Sequence, residues 1–119
     1  MNMINNNISK RIIQLLLKVG IDPSHVGYDY LREAIMLGYS DRKYLRNITS
    51  ALYPKIAEIN GVTITSVEKS IRHAISKIAI LNPDAYRLML FAPSDGHYTN
   101  SQFIACCVEL LHAEESGNA

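Results

Sequence analysis

Within nine positions the chain sets out Thr65, Ser66, Glu68, Lys69, Arg72 and His73. Two hydroxyls, a carboxylate and three basic side chains make a hydrogen-bonding set rather than a catalytic one. Steps of three and four residues bring most of them to one side of a helix. Such a face can offer short polar groups to base edges and cations to phosphates.

That face needs a helix with an apolar back, and Val67, Ile71, Ala74, Ile75 and Ile78 supply one at helical spacing. Thr63 or Thr65 opens the helix. Thr65-Ser66-Val67-Glu68 has capping-box spacing, with Glu68 able to reach back to the start. Upstream, Ile56 is spaced to pack against Val67, small Ala57 permits close approach, and Gly61 suits the left-handed corner between two helices. The expectation is a helix-turn-helix between about Tyr53 and Ile80. By pattern alone this unit reads equally as a DNA-reading element and as a plain corner between two helices.

The remaining segments are helical as well. Ile8, Ile12, Leu15, Leu16 and Val19 form one stripe, ended by Gly20 and the break at Asp22-Pro23. A second helix from about Ser24 to Leu37 directs Val26, Tyr30, Leu31, Ala34 and Ile35 inward, with Gly38 as its stop. Ser40 or Asp41 caps an element carrying Tyr44, Leu45, Ile48, Leu52 and Ile56. Pro54 inside it marks either a kink or the first turn of a separate helix. Asn82-Pro83-Asp84 breaks the chain before a short helix through Leu90, and Ala92 to Tyr98 reads as a loop. Thr99-Asn100-Ser101-Gln102 then opens a last helix with Phe103, Ile104, Cys107, Val108, Leu110 and Leu111 on its apolar side. The fold class is therefore all-α, about six helices around a central helix-turn-helix. Residues 1–7 read as a disordered start or linker remnant, 8–113 as a single helical domain, and 114–119 as a flexible tail.

Composition narrows the function classes. Apolar residues at 48% against 19% charged favour a folded globule over a disordered chain. The net charge of +1 gives no global pull toward nucleic acid. Between Arg42 and Lys77, however, seven basic residues stand against Glu58 and Glu68. Any attraction for phosphate is therefore local. Cys106 and Cys107 are adjacent, which strains a disulfide, and they read as buried, reduced thiols. His25, His73, His97 and His112 are scattered without metal-ligand spacing. Neither a glycine-rich phosphate loop nor a nucleophile elbow appears. Hence no catalytic residue, metal site or cofactor is expected. No apolar run reaches the roughly 18 residues of a membrane span. With no signal-peptide layout at the start, a cytoplasmic protein without membrane contact is expected.

Several blocks carry a resemblance: Tyr30-Leu31-Arg32-Glu33-Ala34-Ile35, Leu52-Tyr53-Pro54 with Ile56-Ala57, Val67-Glu68, Ile71-Arg72-His73-Ala74-Ile75, and Thr99-Asn100-Ser101 followed by Phe103-Ile104-Ala105. In order and spacing they resemble the C-terminal DNA-binding effector domain of the stage-zero sporulation master regulator of endospore-forming bacteria, from about Ile8 to Leu111. The resemblance implies a six-helix fold, double-stranded DNA as partner, and a short DNA box often present in tandem copies; domains of this size often bind as pairs, so a homodimer on tandem or inverted sites is a further expectation. It also implies a phosphorylatable receiver domain ahead of this one, which this sequence does not contain; a free-standing relative is the alternative.

The departures fall on the candidate DNA-binding residues themselves. Family members resemble Ser-Arg-Val-Glu-Arg where this chain has Thr65-Ser66-Val67-Glu68-Lys69. Arginine grips guanine through a bidentate fork that serine lacks, a difference of roughly 1–3 kcal/mol in base discrimination. Lys69 still suits a phosphate or one guanine atom. Glu68 suits a cytosine amino group or its own helix start, and the two roles are compatible. Arg72 and His73 suit the DNA backbone or a solvated face, while Arg32 and Glu33 suit an ion pair to a neighbouring helix. The segment from Ile80 to Tyr98 departs furthest, and the family's RNA polymerase sigma factor contact maps there. A diverged protein-protein interaction module is thus the alternative to a sequence-specific transcription regulator.

Overall fold

The computed structural model describes residues 3–90 and 98–117, in which every element is helical. In chain order these are α1 (Met3–Val19), α2 (Val26–Ser40), α3 (Lys43–Arg46), a π turn (Ile48–Leu52), α4 (Tyr53–Asn60), α5 (Ile64–Leu81), α6 (Pro83–Leu90) and α7 (Asn100–Gly117). Six of the described helices have eight residues or more, and α3 is an added single turn. The all-α expectation holds.

Helix α2 is the hub, packed against α1, α5 and α7. Leu31 and Ile35 of α2 meet a core that includes Ile12 and Leu16 of α1, Ile71 and Ile75 of α5, and Phe103 and Ile104 of α7, all buried. Among the described residues no charged or amide side chain is buried, so the core is packed mainly by shape, with tyrosine hydroxyls as its polar groups. Tyr28, Tyr30 and Tyr53 join this core and Tyr44 packs on its edge.

Two glycines do work that their place in the sequence hides. Gly38 is not a stop: it is buried, and α2 continues to Ser40. A Cβ there would come within 2.6 Å of Leu45 Cδ2 and 3.3 Å of Val108 Cγ2, so the glycine admits α3 and α7. The helix ends instead where Asp41 turns extended, its N–H closing on the Leu37 carbonyl and its carboxylate accepting the Lys43 N–H at 3.0 Å. At the other end of α2, a Cβ on Gly27 would lie 2.6 Å from the Ser70 carbonyl oxygen. Position 27 is thus the contact with α5, and Val26, expected to point inward, is 49% exposed on the first turn.

Pro54 begins a separate helix, the second of the two expected possibilities. Leu52 and Tyr53 donate to the Asn47 and Ile48 carbonyls, each five residues back, before α4 takes over with Pro54 in its first turn. The missing proline N–H costs nothing at that place.

The ends also depart from expectation. Helix α1 is already formed at Met3, inside the stretch expected to be disordered, and α7 runs past Glu114 to Gly117. Arg11 explains the second: it donates to Glu114 at 2.6 Å and to the Leu111 carbonyl at 3.1 Å. The Tyr39 hydroxyl adds a bond to Glu115 at 2.7 Å. Cys107 is buried as expected, whereas Cys106 and Leu110 are only half-buried. Of the expected loop from Ala92 to Tyr98, all but Tyr98 lies outside the described residues. No described helix is long and apolar enough to cross a membrane.

Candidate nucleic-acid interface

The turn between α4 and α5 follows from three residues. Gly61 adopts φ +65°, the left-handed region, and the Val62 N–H reaches back to the Ala57 carbonyl at 3.1 Å. Thr63 is extended and is the cap of α5: its Oγ1 accepts the Ser66 N–H at 3.0 Å. The capping box expected at Thr65 is therefore displaced by two residues. Ser66, not Glu68, occupies the third helical position, and its hydroxyl accepts from Thr63 at 3.0 Å. Glu68, too far along to reach the helix start, turns to Arg72 at 2.6 Å instead.

Behind the turn, Ile56 and Ala57 of α4 are buried together with Val67 and Ile71 of α5. This packing leaves Thr65, Ser66, Lys69, Arg72 and His73 exposed, with Glu68 half-buried. Lys69, Arg72 and His73 are brought together, lining with Ser76 an open hollow of about 320 Å³. Thr65 and Ser66 stand apart at the amino end of α5, bordering no part of that hollow. Charge is uneven along the face. Arg72 is compensated by Glu68, whereas Lys69 and His73 form no ion pair among the described residues.

Two side-chain ties hold the unit in place. Asn60, the last residue of α4, donates to Glu33 of α2 at 2.7 Å and to the Ile56 carbonyl at 2.9 Å. Glu33 thus joins two helices by a hydrogen bond rather than an ion pair. Arg32 stays with its own helix, near Asp29 at 4.0 Å and over the Tyr28 ring at 5.6 Å.

The second tie was not apparent from sequence. Asn100 of α7 donates to the Tyr53 hydroxyl at 3.0 Å and to the Glu68 carbonyl at 3.1 Å, joining α4, α5 and α7. Burial pushes the Tyr53 phenol above its ordinary range, and the bond from Asn100 partly offsets this. Thr99 and Gln102 cap α7 reciprocally, at 3.0 and 3.2 Å, which fixes the turn carrying Asn100. The Thr99-Asn100-Ser101 block was visible as a resemblance, but nothing local said what it touches.

Among the described residues, no group of three His, Cys, Asp or Glu side chains is arranged to hold a metal ion. What remains is an exposed polar and cationic helix face on a hydrogen-bonded corner. With that geometry in hand, the family model for the sporulation initiation factor Spo0A C-terminal domain matches residues 12–111. The chain belongs to this family. The Spo0A C-terminal family is the DNA-binding effector domain of a sporulation regulator, and it is not a known enzyme family. Its match takes in α2, the whole helix-turn-helix and α7 as far as Leu111.

Proposed function

We propose that α5 enters the major groove of duplex DNA and reads a short sequence there, so that the chain acts as a sequence-specific transcription regulator. One observation carries the reading: in a chain of the Spo0A C-terminal family, Lys69, Arg72 and His73 cluster on the exposed face of the helix that follows the Gly61 corner. Thr65 and Ser66 lie at the end of α5 that approaches base edges first. Glu68 accepts from a cytosine amino group, Lys69 meets a phosphate or one guanine atom, and Arg72 and His73 take the backbone. Neighbouring copies pair on tandem sites. Titration of matched and unrelated duplexes across a salt series tests this. Submicromolar affinity for one sequence, falling steeply with salt, is the expected result. No duplex binding even at low salt sinks the reading and leaves the interaction module.

One observation favours a protein contact beside the DNA contact. Ile80 and Leu81, where α5 ends, are 72% and 71% exposed. Their exposure supports docking of an RNA polymerase sigma factor near this end of the helix, and Ile80→Asp would then reduce transcription activation without weakening DNA binding.

A further inference from the structure

Four residues at a time along α5, Lys69 is followed by His73 and then by Lys77. That spacing sets the three on one ridge, about 6 Å apart along the axis. Like its two predecessors, Lys77 forms no ion pair among the described residues. The ridge outruns the hollow described above. His73 also borders a second groove of about 300 Å³, which runs between α5 and the start of α2 and has His25 and Lys77 on its walls. His25 and Lys77 continue into an adjoining groove that includes Asp22. The close seam between Gly27 and the Ser70 carbonyl is what sets His25 beside this ridge; any side chain at position 27 would push the two helices apart.

Asp22 is the one carboxylate lining these three hollows. It is already engaged, accepting the Ser24 N–H at 2.9 Å and the Ser24 hydroxyl at 2.7 Å, with His25 Nε2 at 3.8 Å. Asp22 keeps its charge and lies within electrostatic reach of Lys77 and His25, so it offsets part of the positive charge at that end. Lys69 and Lys77 together leave the ridge with a basic excess continuous with the outer face of α5.

We propose that this groove is a second binding surface for the sugar-phosphate backbone of duplex DNA, with Lys77 and His25 holding phosphates beyond the stretch that α5 reads. The inference rests on the duplex-binding reading and extends it. Contacts of this class add affinity without sequence information.

The test uses the full chain, a preferred duplex and an unrelated duplex, over a salt series. Lys77→Gln is expected to weaken both duplexes by the same factor. It should also reduce the steepness of log K against log salt by about 0.9, the change for one lost phosphate contact. His25→Gln should weaken both duplexes equally. Asp22→Asn keeps an acceptor for Ser24 while removing the charge, and should tighten both. All three side chains are exposed, so thermal melts should stay close to that of the parent. An unchanged salt slope in Lys77→Gln, or a loss confined to the preferred duplex, overturns the groove contact while the reading of bases by α5 stands. Absence of duplex binding by the parent chain removes both.

Discussion

Asn100 in α7 donates a hydrogen bond to the backbone carbonyl of Glu68, 3.1 Å away in the second turn of α5. The same amide nitrogen donates to the Tyr53 hydroxyl at 3.0 Å, so one side chain links α7 to both α4 and α5. Asn100→Ala leaves a buried tyrosine hydroxyl and the carbonyl without that donor, at a cost of roughly 1–3 kcal/mol. A fall of several degrees in the melting temperature is expected. Asn100→Asp should not rescue it, because a carboxylate cannot donate to the carbonyl. Thermal melts of the two variants against Tyr53→Phe decide the matter, and an Asn100→Ala melt equal to the parent's would show the tie to be incidental.

Gly61, at the corner between α4 and α5, and Gly27, where α2 meets α5, should fail for different reasons. Gly61 has open space around the missing Cβ, so Gly61→Ala costs only the left-handed backbone, about 1–2 kcal/mol. Gly61→Asn should recover part of that, since asparagine tolerates this region better. Gly27→Ala instead drives a methyl group to 2.6 Å from the Ser70 backbone, where neither helix has a flexible side chain to yield. It should cost at least as much as Gly61→Ala, in the range of about 1–3 kcal/mol for overpacking. It should also weaken DNA binding by shifting α5. Denaturant titrations give the ranking, and a harmless Gly27→Ala would contradict the close seam.

These cases mark what is legible in the sequence. Val67, Ile71, Ile75 and Ile78 announce a helix because their spacing repeats along one short stretch, and burial follows from the same repeat. Gly61 is equally local: its conformation is needed whatever lies opposite. Gly38 shows the limit, since a glycine ending a helix and one admitting Leu45 and Val108 look alike until the neighbours are known. Thr63 and Thr65 look alike as caps for a similar reason; the corner at Gly61, with Val62 bonded back to Ala57, leaves the chain ready to cap at the next residue. The tie from Asn100 spans 32 residues to Glu68 and 47 to Tyr53, beyond the reach of any periodicity. Arg11 likewise extends α7 from across the fold.

Alkaline pH should weaken the fold, whereas neutral pH should leave it unchanged. Burial raises the phenols of Tyr53, Tyr86 and Tyr98, the last to about 12, and pushes the Cys107 thiol well up. A proton held more tightly in the folded chain than in the unfolded one contributes stability that is intact below the unfolded pKa. For the tyrosines that limit is about pH 10, and for the thiol about 8.5. The contribution is then lost as pH rises through the folded values. Stability measured by denaturant should hold to about pH 8 and decline toward pH 12. Tyrosinate absorbance recorded alongside should lag for the buried rings. Constant stability across that range would show that these groups are freely hydrated.

Ser66→Arg asks whether the docking assigned to α5 is right. The cap of the helix uses the backbone N–H of residue 66, so arginine there leaves the 3.0 Å bond to Thr63 in place and gives up only the hydroxyl contact. The variant should therefore fold like the parent, with a melting temperature within a few degrees. If position 66 faces base edges, the new guanidinium can grip the two guanine acceptors in one plane. Affinity for the DNA box preferred by the relatives should then rise by about 1–3 kcal/mol, roughly 5- to 150-fold, while unrelated duplexes gain far less. An equal gain on every duplex would mean that the arginine meets phosphate, placing position 66 at the edge of the groove. A loss on the relatives' box would mean that α5 does not approach DNA by its amino end. The ratio of the two affinities at a single salt concentration separates the three results.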